Sequence, residues 1–382
     1  MADRDQTGWI SPEPVRRAKS AVAVALSFVI LLGGLGFASW KGYSFYMDLL
    51  QHDDYIGDGD QAIQIDIPSG IGWGVVADTL VAKDVVKDPS LFVKEALAIT
   101  DGPQPGTWNI FTHLPAKKAA QMLTDSQNLV KIYFTIPEGR RLDDIYAILI
   151  DKVGVTQEQI DQAMAGNTAD PDANIFGLNA NANGNPEGFL FPDTYFVTPP
   201  IDNDAVSIFK KMASRFNNVA QEIDLENGSA AIGISPQQAV VIASIIEAEV
   251  NGEADRAKVA RVIYNRLSID MPLRVESVFR YGRLMTDGTP YDDDITIESQ
   301  NDPSLPYNYY IHPGVPSAPI DSPGRDALVA TLNPEDGPWL YWVTVNLNTG
   351  ETKFATTEEE FWALTEELDQ WCAANGKPKG CS

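Results

Sequence analysis

The chain has 382 residues, 44% of them hydrophobic and 21% charged, which is material for two or three domains with real cores. Lys and Arg total 28 against 53 Asp and Glu, a net charge of −25 that nearly excludes binding to nucleic-acid phosphate. Three histidines and two cysteines leave Cys/His metal sites and His-based triads poorly supplied, so no metal or other cofactor is expected.

Residues 1–20 read as a cytoplasmic tail carrying Arg16, Arg17 and Lys19. Ala21 to Trp40 then run without a charge. As a helix, a stretch of this length would span roughly 30 Å, the thickness of a bilayer's hydrocarbon core. Trp40, Lys41, Tyr43 and Tyr46 follow as an interfacial belt. The basic flank predicts a single-pass cell-membrane protein with a cytoplasmic N-terminus and an extracytoplasmic body. A cleaved signal peptide is the alternative, disfavoured by the length of the apolar run and by the poor cleavage site Phe37-Ala38-Ser39-Trp40.

Residues 41–61 form an acidic spacer. A weak repeat follows, in which Asp66-Ile67-Pro68-Ser69-Gly70 aligns with Thr135-Ile136-Pro137-Glu138-Gly139. Each copy reads as strand, turn, amphipathic helix, break and second helix. The breaks fall at Asp84 and Gly154, and the second helices start near Pro89 and Gln157. Gln104 to Trp108 turn into a strand, a helix is predicted from Pro115 to Thr124, and Val130 to Thr135 has strand composition. Residues 62–162 are therefore expected to form a small α+β module. Residues 163–186, rich in Asn, Ala, Asp and Gly from Gly166 onward, are expected to be a linker.

The region 187–367 holds the strongest chemical signal. Ser235-Pro236-Gln237-Gln238 starts a helix with an N-cap, a first-turn proline and a capping box. From Ala239 to Ile246 only Ser244 is polar, so the helix should be buried all round. Glu247 is the first ionisable group to follow. Apolar surroundings and the negative end of the helix both favour its protonated form, as a general acid requires. The plain alternative is that Glu247 is only where the helix meets water. Glu249 projects from another side and Glu253 opens the next helix, so neither reads as a close acid/base partner. That helix, Glu253 to Leu267, carries Asn265-Arg266, and Pro306-Tyr307-Asn308-Tyr309-Tyr310 groups aromatic rings with an amide, which suits sugar binding or ordinary packing. Gly314-Val315-Pro316-Ser317-Ala318 lacks the strand–turn–helix setting of a nucleophile elbow. In the tail, residues 368–382, Cys372 and Cys381 are close enough in sequence to form a disulfide outside the membrane, with two free thiols as the alternative.

Several segments together resemble the membrane-anchored endolytic murein transglycosylases of the MltG/YceG-like family. They are I-P-E-G-R-R-L at 136–142, E-G-F-L-F-P-D-T-Y-F at 187–196, I-A-S-I-I-E-A-E at 242–249 and V-A-R-V-I-Y-N-R-L at 259–267. P-Y-N-Y-Y at 306–310, A-P-I-D-S-P-G at 318–324 and A-T-L-N-P at 330–334 complete the set. The resemblance implies an α+β protein with an N-terminal transmembrane helix, a LysM-like module at 62–162 and a mixed α+β catalytic domain at 187–367. It implies that peptidoglycan glycan strands are the substrate and that peptidoglycan synthases are possible neighbours. Cleavage would be non-hydrolytic, between N-acetylmuramic acid and N-acetylglucosamine, leaving a 1,6-anhydromuramic end.

By this resemblance Glu247 is the catalytic residue, and Asn265, Glu276, Tyr281, Tyr307 and Asn308 line the groove. Where the family shows L-Q-x-D-x-T-V-x-Y-G, this chain has Arg274, Glu276, Val278 and Phe279 in place of Gln, Asp, Thr and Val, and Phe361 in place of a histidine. A glycan-binding scaffold without activity is the competing expectation, motivated by that altered stretch. A hydrolase pairing Glu247 with Glu276 or Glu187 is another.

Overall fold

A computed structural model describes residues 33–34, 36–37, 39–43, 53–167, 174–250, 252–291, 295–376, 378 and 381. The expected cytoplasmic tail and most of the expected membrane span lie outside the described residues. Residues 33–34, 36–37 and 39–43 are helical. Among the described residues no single helix is long and apolar enough to cross a membrane.

The architecture is α+β, with many helices and three two-stranded sheets among the described residues. It divides into two compact units. The first comprises 1–63, 71–103 and 110–125, and the second 64–70, 104–109 and 126–382.

The first copy of the repeat supplies β1 (Ala62–Ile67), α1 (Trp73–Ala82) and α2 (Pro89–Leu97). Within the first unit α1 and α2 meet through Trp73 and Phe92, whose rings lie 5.7 Å apart. Asp84, with a left-handed φ of 58°, ends the first helix, and Asp88 caps the second by accepting from the Ser90 and Leu91 amides. Strand β2 (Gly106–Phe111) pairs with β1, and α3 (Ala116–Met122) follows.

The second copy supplies β3 (Ile132–Thr135), α4 (Leu142–Val153) and α5 (Gln157–Gly166), all in the second unit. Ile145, Leu149 and Val153 bury one face of α4, and Gly154, with φ 82°, closes it as a left-handed C-cap. Strand β3 pairs antiparallel with β4 (Thr194–Val197), Phe134 lying opposite Tyr195. The described part of the expected linker holds the last turn of α5 and one 3-10 turn, Ala180–Ala182. It is nonetheless packed down: Phe176, Leu178 and Ala182 are buried, with the Phe176 ring 5.0 Å from Phe209.

The helices α6 (Ala205–Glu222), α7 (Leu225–Ala231), α8 (Pro236–Glu249), α9 (Glu253–Ser268), α10 (Glu276–Asp287), α11 (Ile297–Gln300) and α12 (Arg325–Leu332) complete the helical part. A hairpin, β5 (Tyr341–Asn346) and β6 (Glu351–Ala355), precedes α13 (Glu358–Ala374). The two cysteines are joined as a disulfide that ties Cys381 back to the end of α13.

Helix α8 is the axis of this unit. Every residue from Ala239 to Ile246 is buried. Burying each Val or Ile side chain is worth about 1.5–3 kcal/mol, so the rod is firmly held. Ser244 keeps its hydroxyl satisfied by donating to the Val241 carbonyl (2.8 Å) and accepting from the Ile320 amide (3.1 Å). At the other end the capping box is formed as expected, with Ser235 and Gln238 bonding reciprocally.

Candidate active site

Glu247 and Glu249 both stand at the C-terminal end of α8, about 200° apart around the axis. They serve two different cavities.

Glu247 lies in a cavity of about 360 Å³ with Glu138, Gly139, Arg140, Arg141, Asp144, Ala248, Tyr291, Ile320 and Asp321. The resembling segments 136–142 and 318–324 meet here: Gly139 donates to the Ser322 carbonyl and Ser322 donates to that of Arg140. The Glu247 side chain is 8% exposed. Burial pushes its pKa up, aided by the nearby Glu138 and Asp326 carboxylates and opposed by Gly324 and Arg256. It is not the isolated acid that the sequence suggests. Its Oε1 accepts from Arg256 Nη2 at 3.0 Å and its Oε2 from the Gly324 amide at 3.1 Å. Arg256 also lies 4.0 Å from Glu138 and 3.9 Å from Asp326.

Two more acids are buried in the same neighbourhood. Asp321 is 5% exposed, and its Oδ1 has no partner among the described residues. Burial raises its pKa well above the carboxylate range, with Glu247 and Glu187 adding to the effect. Glu187 Oε2 accepts from Tyr281 Oη (3.3 Å) and the Leu142 amide (3.5 Å).

Glu249 opens instead onto a larger cavity of about 530 Å³. Arg266, Arg274, Glu276, Gln300, Asn301, Tyr310, Ile311, Tyr341, Trp342, Glu358, Phe361 and Trp362 line the rest of it. Burial raises the pKa of Glu249, partly offset by polar interactions with Ser277 and Trp342, while the Glu276 charge adds to the rise. One wall is aromatic, with Tyr341 stacked on Phe361 at 5.1 Å and Trp362 beyond it. The Arg266 guanidinium packs over Tyr341 and Trp342, 5.2 and 5.4 Å from their ring centres, which stiffens that wall from behind. The lining also offers the amides Gln300 and Asn301. Apolar ring faces, amides and a protonatable carboxyl in one cavity suit a chain of sugar rings.

Of the groove residues expected from sequence, only Glu276 lines this cavity, where it is ion-paired to Arg280 at 2.7 Å. Asn265 gives its amide to the Gly337 and Trp339 carbonyls. Asn308 is fully buried and donates to the Gln300 and Asp302 carbonyls. Tyr281 is 4% exposed and turned toward Glu187. Tyr307 packs against Tyr281 and over Gly282, where even a Cβ would fall 2.1 Å from the tyrosine's own. Asn265, Tyr281, Tyr307 and Asn308 do not line this cavity, and their polar or aromatic groups meet other parts of the protein. Tyr310 is the member of the 306–310 cluster that faces the cavity. Among the described residues no cluster of His, Cys, Asp and Glu could hold a metal ion.

The fold and site thus define an α+β protein with buried, proton-retaining carboxyls and an aromatic-lined cavity. The YceG-like family model matches residues 65–367, and the chain belongs to that family. It is 28% identical over 316 residues to the endolytic murein transglycosylase of Bacillus subtilis, covering 79% of this chain and 84% of the relative. It is 25% identical over 366 residues to the endolytic murein transglycosylase of Streptococcus pneumoniae, covering 88% of this chain and 64% of that longer protein. A solved structure of a YceG-like protein from Listeria monocytogenes shares the fold, with a TM-score of 0.51 at 23% identity over 80% of this chain and all of that one.

Proposed function

We propose that this protein is an endolytic peptidoglycan lytic transglycosylase, with Glu249 as its proton-transferring group. The observation that carries the assignment is the contrast between the two glutamates of α8. Burial holds both toward the protonated form, but Glu247 is ion-paired to Arg256 in the smaller cavity, whereas Glu249, hydrogen-bonded to Ser277 and Trp342 and with no ion pair among the described residues, lines the larger, aromatic-walled one. The names of the relatives support the substrate and the reaction class.

The chemistry needs one carboxyl. Protonated Glu249 gives its proton to the glycosidic oxygen as the bond from muramic C1 breaks, freeing the N-acetylglucosamine hydroxyl. The muramic C6 hydroxyl closes on C1, and the Glu249 carboxylate takes the C6 proton. The products are a 1,6-anhydromuramic end and a shortened strand, no water is consumed, and the acid is regenerated. Glu247, expected from sequence to fill this role, instead anchors Arg256 and, through Gly324, the 318–324 segment.

In this reading residues 21–40 anchor the chain in the cell membrane with the N-terminus cytoplasmic and the body outside. Residues 62–162 act as a LysM-like glycan-binding module, 187–367 carry catalysis, and nascent strands beside peptidoglycan synthases are the targets. The resemblances described above support this arrangement.

The test is digestion of purified glycan strands followed by mass analysis of the new ends. Anhydro ends are expected from the wild type. Glu249→Gln should lower the rate by roughly 10²–10⁴-fold, the usual worth of a general acid. Glu247→Gln should leave measurable cleavage, and the reverse ranking would return the role to Glu247. Because Glu276 lines the same cavity as Glu249, a two-carboxyl hydrolase is the second reading; products heavier by one water would establish it.

A further inference from the structure

Among the described residues, one cation on the lining of the larger cavity has a charge that no protein group engages. Arg266 is turned inward, with its Nε given to the Leu340 carbonyl, and Arg280 is tied to Glu276. Arg274 is exposed on the cavity lining, and among the described residues its guanidinium has no hydrogen bond or ion pair. A free guanidinium stands out on a chain with a net charge of −25.

Its backbone is also unusual. Arg274 has a φ of 47°, a left-handed conformation that costs a non-glycine residue about 1–2 kcal/mol. Flanking contacts impose it. Leu273 and Val275 are buried on either side, and the Arg274 amide donates to the Tyr309 carbonyl at 2.8 Å. The side chain is exposed on the lining of the cavity that Glu249, Glu276 and Glu358 share, and among the described residues none of these carboxylates is paired with it. Strain retained at a cavity lining is a feature of binding sites.

We infer that Arg274 is an anion subsite that selects glycan strands by a carboxylate on the muramoyl residue. This rests on the transglycosylase reading for its substrate. The muramic ring carries a lactyl ether whose carboxyl is either free or continued as a peptide with carboxylates of its own. A guanidinium binds either by paired, charge-assisted hydrogen bonds. The ring then lies along the aromatic wall, and the carboxylate sets its register relative to Glu249.

The experiment compares three substrates with the full chain in detergent. They are strands with intact stem peptides, the same strands with all carboxylates converted to amides, and strands stripped of stems to expose the lactyl carboxylate. The wild type should cleave intact strands about tenfold more efficiently than amidated ones, mainly through KM, and the ratio should shrink as salt rises. In Arg274→Gln that ratio should fall to near one, and Arg274→Lys should recover part of it. Arg274→Gly, free of the left-handed strain, should melt higher than the wild type yet lose the preference. Retained preference on stripped strands assigns the lactyl carboxylate, and its loss assigns the stem.

If Arg274→Gln slows both intact and amidated strands by one factor, or changes neither, the inference is overturned. Calorimetric binding of a soluble muramoyl-peptide fragment and its amide separates this result from failure of the transglycosylase reading. A tenfold binding preference that vanishes in Arg274→Gln, with no cleavage of any strand, would keep the subsite and remove the reaction. Equal binding of the two fragments by the wild type would remove the subsite.

Discussion

Glu187 carries a stability prediction that can be worked from its surroundings. Its side chain sits in a residue only 2% exposed, with Oε1 unpartnered among the described residues and Oε2 served by long hydrogen bonds. Burial pushes its pKa up to about 8, against an ordinary value of 4.5. Between those two values the unfolded chain has released a proton that the folded protein still holds. The stabilisation is fully present below about pH 4.5, declines as pH rises, and is lost above about pH 8. At about 1.4 kcal/mol per pH unit, the gap amounts to roughly 5 kcal/mol.

Glu187→Gln removes this titration. The amide oxygen can still accept from Leu142 and Tyr281, while its NH₂ takes the place of an atom that already lacks a partner. At pH 5 the variant should lie within about 1–2 kcal/mol of the wild type, and at pH 8.5 it should be the more stable by about 3 kcal/mol. Scanning calorimetry from pH 5 to 9 should show the difference in melting temperature swinging by roughly 10 °C, at about 2–4 °C per kcal/mol. Asp321 is raised mainly by burial and in part by Glu187, so the variant relieves some of its shift as well, and the difference between the two proteins reports Glu187 together with its coupling to Asp321. Parallel pH profiles would refute the claim that Glu187 is buried with its proton.

Arg256→Met should destabilise the protein by about 3–5 kcal/mol near neutral pH, because Glu247 loses its partner in a buried setting, and by less near pH 4 where Glu247 is protonated; urea unfolding at the two pH values measures this. Gly282→Ala gains about 1 kcal/mol of helix propensity but drives a Cβ into Tyr307, so net destabilisation with loss of cleavage is expected by thermal melt and strand digestion. Asn308→Ala empties a fully buried amide site and should cost about 2–4 kcal/mol, loosening the Gln300–Tyr310 wall, read as a lower melting temperature and a raised KM. In the first unit His113 bonds Asp60 at 2.6 Å and Asp84 at 2.9 Å, and these bonds raise its pKa above 6.5. Its NMR titration should have a midpoint above that value and return toward it in Asp60→Asn.

What the chain could reveal unaided was local. The capping box at Ser235, the apolar run to Ile246 and the breaks at Asp84 and Gly154 are written in neighbouring residues, because hydrogen-bond caps, helical periodicity and left-handed turns act over a few positions. The tandem strand–helix–helix pattern appears for the same reason, whereas the cysteine spacing left a disulfide and two free thiols both open, and the structure joins Cys372 to Cys381.

Which cavity each glutamate lines was not local. Glu247 and Glu249 share a helix end, a charge and nearly the same sequence environment. Their difference comes from Gly324, 77 positions away, and from Arg256, which engage one, and from Trp342 and the aromatic wall, which shelter the other. Asn265 and Asn308 reverse role in the same way, since carbonyls at 337 and 339, and at 300 and 302, claim the amides that the motif offered to a ligand. A polar side chain's partner is whichever donor or acceptor the packed chain brings within about 3 Å. That distance is set by helices and loops far apart in the sequence, and only their assembly decides which partners a carboxyl receives and which cavity it lines.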